Sequence, residues 1–211
     1  MDFYAVPPSQ GRIEVICGCM FSGKTEELIR RVRQVMLAGQ TVKIFKPMMD
    51  VRYSETEIVS HLGTSLPSVP VTHGSKILDL SEGLNVVAID EAQFFGDDVC
   101  DAAAKLANRG VRVIVAGLDM DFTGKPFGPM PYLLAIAEYV TKLHAICVRT
   151  KEPAHFSFRK ASGDSTILLG QSESYEPMSR RAFNEACRER NIAGAIQEEL
   201  FTPDFSNPNF I

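Results

Sequence analysis

Short apolar runs alternate along this chain with stretches of helical character, and each run ends in glycine, lysine-proline or an acidic pair. Ile13-Glu14-Val15-Ile16-Cys17 predicts a buried strand, and Glu26-Glu27-Leu28-Ile29-Arg30-Arg31-Val32 predicts the helix after it. Gly39 stands where that helix should stop. Val42, Ile44 and Phe45 predict a second strand, closed by Lys46-Pro47. Residues 48–75 hold turn formers and short polar runs, which predict irregular structure or short strands. Val86-Val87-Ala88-Ile89 is a run of the kind buried in parallel sheets, and it ends in Asp90-Glu91. A helix over residues 97–108, closed by Gly110, and a strand over 111–116 come next. A helix near 130–137 and a strand over 140–146 complete the regular part.

Such alternation implies right-handed crossovers and an α/β fold, a mostly parallel sheet flanked by helices. Ligands of such sheets gather at the carboxyl ends of the strands. The segments Gly18–Thr25, Lys46-Pro47, Asp90-Glu91 and Gly117-Leu118-Asp119 all follow strands, so they are expected at one edge. From Cys147 the composition turns to Lys, Arg, Ser, Gly and Pro, with one apolar patch at Ile167-Leu168-Leu169-Gly170. The expected organisation is an N-terminal segment (1–11), a nucleotide-binding α/β domain (12–146), a small loop-rich subdomain (147–191) and a tail (192–211). Residues 179–191 are helical in pattern, and the Pro/Asn-rich end predicts a mobile tail.

With 211 residues the chain is long enough for one good core and a small appendage. Its net charge of -4 argues against a protein that coats nucleic-acid phosphates. No segment approaches the ~18 uninterrupted apolar residues of a membrane span. The first residues lack the basic and apolar regions of a signal peptide, so a cytoplasmic location is expected. Five cysteines, at 17, 19, 100, 147 and 187, form no compact framework and are expected as reduced thiols.

Gly18-Cys19-Met20-Phe21-Ser22-Gly23-Lys24-Thr25 fits G-x-x-x-x-G-K-[ST] between a strand and a helix, which makes it a P-loop. The backbone there wraps a polyphosphate, the helix N-terminus adds a favourable dipole, and Lys24 supplies positive charge. The Thr25 hydroxyl is a ligand for Mg²⁺. A nucleoside triphosphate, ATP with Mg²⁺, is therefore the expected ligand, on a RecA-like P-loop sheet. Asp90, at the end of an apolar strand, is the carboxylate expected to hold Mg²⁺ through water opposite Thr25. Glu91 beside it suits activation of either water or a substrate hydroxyl, so spacing alone leaves ATPase and kinase open.

Further segments narrow the choice. They are Met20-Phe21-Ser22, Lys46-Pro47, Asp50-Val51-Arg52-Tyr53, Ser60-His61 and Asp90-Glu91-Ala92-Gln93-Phe94-Phe95. Gly117–Phe122, Pro126–Met130, Lys142–Cys147 and Ser172–Pro177 follow in order. Together they resemble the type II thymidine kinases over residues 12–190. The resemblance implies phosphorylation of thymidine, and of deoxyuridine, by ATP in nucleotide salvage for DNA synthesis. It makes Glu91 the general base toward the 5′-hydroxyl and puts Gln93, Asp50 and Arg52 with the phosphate-binding residues. It assigns Met20, Phe95, Leu118 and Phe127 to the nucleobase slot and Tyr175 to its closing aromatic. It gives Ile167, Leu168, Leu169 and Gly170 to a lasso loop reading the thymine edge, and puts Ser157 near the thymine methyl. By composition alone, Phe94, Phe95, Phe122 and Phe127 would be core. A homotetramer and feedback inhibition by thymidine triphosphate are further implications.

The family ties its lasso with a zinc ion between two Cys-x-x-Cys or Cys-x-x-His pairs. Here the pairs read Cys147-Val148-Arg149-Thr150 and Ser179-Arg180-Arg181-Ala182, so only Cys147 survives. Structural zinc needs four ligands, and none is expected; His144, Cys147 and Cys187 make at most an irregular set of three. Two other functions stay in view, a DNA-dependent P-loop ATPase and an inactive nucleotide-binding regulator.

Overall fold

The computed structural model describes residues 11–48, 57–59, 65–160 and 174–190. In chain order these form β1 (Arg12–Gly18), α1 (Lys24–Leu37), β2 (Val42–Pro47), β3 (Glu57–Val59), β4 (Ser65–Pro67), β5 (Val69–Val71) and α2 (Ser75–Asp79). Then come β6 (Val86–Ile89), α3 (Asp98–Asn108), β7 (Arg112–Gly117), α4 (Met130–Ile136) and β8 (Tyr139–Leu143). The chain continues through β9 (Ala145–Ile146), β10 (Pro153–Ala154), β11 (Phe156–Arg159), β12 (Tyr175–Met178) and α5 (Arg180–Arg190).

The main sheet has strand order β5-β2-β6-β7-β1-β8, and every pairing in it is parallel. The inner strands β2, β6, β7 and β1 are buried on both faces because their residues alternate between two cores, whereas edge strand β8 stays largely exposed. Val15, Val87, Ile89, Val113 and Val115 face a core closed by Val99, Leu106 and Met130. Ile16, Val86, Ala88 and Ile114 face the other, closed by Leu28, Ile29 and Val32 of α1. Glu14 of β1 is also buried, at 4% exposed. The Glu14 carboxylate accepts hydrogen bonds from Arg12 (2.7 Å), Arg112 (2.7 and 2.9 Å) and Arg31 (3.0 Å), which makes its burial tolerable. Arg31 also donates to Thr141 Oγ1 at 2.9 Å, so the network ties α1 to β1, β7 and β8.

One expectation needs correction. The strand expected over 140–146 is two strands: β8 stays parallel to β1 as far as Leu143, whereas β9 pairs antiparallel with β10. The physical reason is at His144, whose ring packs edge-on against His155 with centroids 4.4 Å apart, so the chain leaves the main sheet there. The second set of strands therefore begins at Ala145, two residues before the composition changes. The short helix α2 and the 3-10 turn Ala92–Phe94 carried no clear signal in the pattern.

Beyond Leu143, β9–β12 and α5 enclose a separate small core. Phe156 stacks on Phe183 at 4.4 Å, Phe158 meets Phe183 edge-on, and Cys147, Met178 and Cys187 fill in around them. Three guanidinium groups lie over aromatic rings: Arg180 on Phe156, Arg190 on Phe158 and Arg159 on Phe122. Cys19, from the loop after β1, is a full member of this core, and Phe21 and Met120 pack against it.

Candidate active site

The loop after β1 turns sharply because Gly18 passes close to β8: a Cβ there would sit 2.2 Å from the Leu143 carbonyl oxygen. Phe21 and Gly23 take left-handed conformations, and α1 begins at once with Lys24. Ser22 Oγ and Lys24 Nζ each donate to the Cys19 carbonyl at 2.8 Å. The small unit grips the outside of the same loop. Cys19 Sγ donates to the Ala154 carbonyl at 3.2 Å, and the Met20 N–H donates to Ser157 Oγ at 2.9 Å. Burial pushes the Cys19 thiol up, so it serves as packing.

Two strands away, β6 is followed directly by Asp90, which is 6% exposed. Its Oδ1 accepts the Glu91 N–H at 3.0 Å, and Thr25 Oγ1 donates to Oδ2 at 3.4 Å. Asp90 thus caps the turn and also faces the first helical residues of the P-loop. Glu91 itself is left-handed, with φ 51 and ψ 41, a conformation that costs a non-glycine residue about 1–2 kcal/mol. Such strain concentrates at functional positions. The Glu91 carboxylate accepts a hydrogen bond from Gln93 Nε2, and Gln93 Oε1 accepts the Leu118 N–H at 2.9 Å.

After β7, Leu118 is half-buried and Asp119 is buried beside Lys142, whose Nζ lies 2.7 Å from Oδ2. Burial alone would lower the Lys142 pKa, but the hydrogen bond and charge of Asp119 carry it above its ordinary value. Asp121 Oδ1 accepts the amides of Thr123 (2.8 Å) and Lys125 (3.0 Å), folding a tight turn. That turn returns Phe127 to the sheet edge, where its N–H donates to the Asp119 carbonyl at 3.1 Å. Phe127 is half-buried and meets Phe94 edge-on at 5.6 Å.

The sheet thus brings together Gly18–Thr25, Asp90, Glu91, Gln93, Leu118 and Phe127, as strand-end logic requires. Phe95 instead lies inside the main core with Val99 and Met130. Ser157 and Tyr175 stand on the paired strands β11 and β12. Asp50, Arg52, Ile167, Leu168, Leu169 and Gly170 lie outside the described residues, as do Ser60 and His61. Sequence reasoning missed Lys142, although the Gly-Leu-Asp segment after β7 already signalled a buried acid in search of a cation. It also missed Ala154, which acts through its carbonyl and leaves no side-chain signal.

The thiol Cys147 sits in a polar knot. Its Sγ accepts the Thr150 N–H at 3.5 Å, Thr150 Oγ1 donates to Ser179 Oγ at 2.9 Å, and the Ala182 N–H reaches Ser179 Oγ at 3.5 Å. Burial raises the Cys147 pKa, but hydrogen bonds from Thr150 and from the amides of Ser179, Thr150 and Arg149 outweigh it and bring the thiol to about 7. Among the described residues no group of three or more His, Cys, Asp or Glu side chains is arranged to hold a metal.

Comparison with known proteins gives a consistent outcome. The family model described as thymidine kinase matches residues 11–183. A thymidine kinase of Bacteroides thetaiotaomicron is 54% identical over 177 residues, covering 84% of this chain and 89% of that protein. One from Porphyromonas gingivalis is 53% identical, covering 83% and 86%, and one from Rhodothermus sp. is 54% identical, covering 83% and 82%. A family match that spans the P-loop and both strand-end acids, with relatives at this identity over more than four fifths of the chain, leaves one conclusion: the chain belongs to the thymidine kinase family.

Proposed function

We infer that this chain is an ATP:thymidine 5′-phosphotransferase, moving the γ-phosphoryl of ATP to the 5′-hydroxyl of thymidine to give thymidine monophosphate. The observation that carries the mechanism is the placement of Glu91, on the turn after β6, next to an Asp90 whose carboxylate faces Thr25 at 3.4 Å. Phosphoryl transfer asks a protein mainly for positioning and charge stabilisation. The P-loop amides and the N-terminus of α1 receive the phosphates, and Lys24 offsets charge that builds on the transferring group. Glu91 takes the proton of the 5′-hydroxyl as that oxygen attacks phosphorus, and ADP leaves.

Thr25 and Asp90 present hard oxygen donors, the set that suits Mg²⁺, and they are the residues that would hold it. Held there, Mg²⁺ would supply positive charge to offset that of the triphosphate. Met20, Leu118 and Phe127 are the base-slot residues best supported by position at the sheet edge. Phe95 would contribute from the core side and Tyr175 from β12. Asp50, Arg52 and Ile167–Gly170 are proposed in their family roles, as are the tetrameric assembly and inhibition by thymidine triphosphate. Deoxyuridine is proposed as a second acceptor.

The proposal includes no structural zinc. Three of the four family ligand positions carry groups unsuited to Zn²⁺, and Thr150 and Ser179 hydrogen-bond to each other instead. Elemental analysis finding about one zinc per chain would overturn this.

Incubation with ATP and either thymidine or single-stranded DNA tests the activity. Thymidine monophosphate is the expected product, whereas ADP formation that follows DNA and ignores thymidine would refute the kinase. Glu91→Gln is expected to lower turnover by roughly 10²- to 10⁴-fold with nucleotide binding near normal.

A further inference from the structure

Gln93 is 2% exposed and lies between two functional parts of the site. Its amide orientation follows from chemistry: the Leu118 N–H can only donate, so Oε1 faces it, and the NH₂ is left for the Glu91 carboxylate, which accepts. Reversing the amide would set donor against donor and acceptor against acceptor. Two glycines make the room. A Cβ at Gly128 would fall 2.4 Å from the Gln93 carbonyl oxygen, and one at Gly117 would fall 2.9 Å from Oε1. Gln93 is therefore wedged from both sides, with its amide used at both ends.

We propose that Gln93 is a positioning residue for Glu91, holding that carboxylate in register with the backbone of Leu118 and hence with the nucleoside seat. The inference rests on the reading of Glu91 as general base. The Glu91 backbone is fixed by the turn, its carbonyl accepting the Phe94 N–H at 3.1 Å and its N–H donating to Asp90 Oδ1 at 3.0 Å, but these bonds leave the side-chain torsions unset, and the bond from Gln93 orients the carboxylate. Loss of the tie leaves the residue present and the P-loop intact, but the proton acceptor misplaced. The consequence falls on turnover: misplacing a catalytic group by about 1 Å is enough to cost on the order of 10²-fold.

The test is a double-mutant cycle in steady-state kinetics with ATP and thymidine, using the full chain. Gln93→Met keeps side-chain length and removes both hydrogen bonds. It should lower kcat roughly 10- to 100-fold while KM for ATP moves less than about threefold. In a Glu91→Gln background the same substitution should add almost no further loss, because the group it acts through is already gone. Losses that multiply in the double variant, or wild-type kcat in Gln93→Met, overturn the proposal. Full turnover in Glu91→Gln alone would instead overturn the general-base reading, so the two failures are distinguishable. If Gln93→Met does not melt cooperatively, Gln93→Asn, one methylene too short to span both partners, is carried through the same cycle with the same criteria.

Discussion

The parallel sheet and the small unit after Leu143 build their interiors by different means. In the sheet, β-branched residues alternate between two apolar cores, helices cover both faces, and the buried Glu14 carboxylate is met by three guanidiniums. Among the described residues the small unit has two very short strands, one four-residue ribbon and one helix of 11 residues. So small a body buries little on its own. Three phenylalanines, cations over rings and a polar knot at Cys147 make up the difference, and its core is completed by Cys19 from the P-loop. The sheet thus supports the phosphate loop from inside, and the small unit clamps it from outside. Damage to either should reach the site, but by different routes.

The strongest way to break the sheet side of this comparison is Glu14→Gln. It takes the carboxylate charge from the half-buried Arg12 and Arg112 and leaves buried Arg31 paired with Glu27 alone, and it should destabilise the protein by up to about 3–5 kcal/mol, read by denaturant melts at pH 7. The pH dependence follows from the sign of the shift. Burial raises the Glu14 pKa, but hydrogen bonds and charge from Arg112 and Arg12 outweigh it, so the folded value lies below the ordinary one. Its contribution is then fully present above the unfolded pKa and is lost as pH falls through the folded value. The gap between wild type and Glu14→Gln should therefore close in acid, below about pH 4. A gap that persists there would assign the effect to packing.

Phe183→Ala attacks the other side by removing the ring on which Phe156 stacks, at a cost of about 3 kcal/mol. Hydrogen exchange should show lost protection in α5 and β11, and also at the Cys19 and Met20 amides. Unchanged exchange at those two would mean the clamp does not act on the P-loop. Ser179→Ala is expected to cost about 1–2 kcal/mol, since it leaves the Thr150 hydroxyl without its partner. Added zinc or chelator should change the melting of neither protein; stabilisation by zinc would contradict the hydrogen-bonded knot. The smallest effect belongs to Arg149→Ala. Its pair with Glu176 is 43% exposed on the arginine side and should contribute no more than about 1 kcal/mol, reduced by salt.

Elements were legible where periodicity and punctuation agreed. The run Val86–Ile89 before Asp90-Glu91, the P-loop between strand and helix, and the helix closed by Gly110 all stand as the pattern predicts, within a residue or so. The break at His144 was not legible, because the apolar pattern continues through it and the ring it meets, His155, follows an intervening turn and strand. Phe94 and Phe95 show the same limit. As neighbours they look equivalent, yet one meets Phe127 at the sheet edge and the other is sealed in the core.

The sequence by itself determined the strand order's raw material, the phosphate loop, the two adjacent acids and the loss of the metal-ligating pairs, because these depend on residue type and short spacing. Only the tertiary structure decided that Gln93 joins Glu91 to Leu118, that Ser157 and Ala154 grip the P-loop, and that Cys19 belongs to the small unit's core. Most of those contacts join residues far apart in the chain, up to 137 positions, and several have a backbone group as one partner, so residue type and short spacing do not encode them.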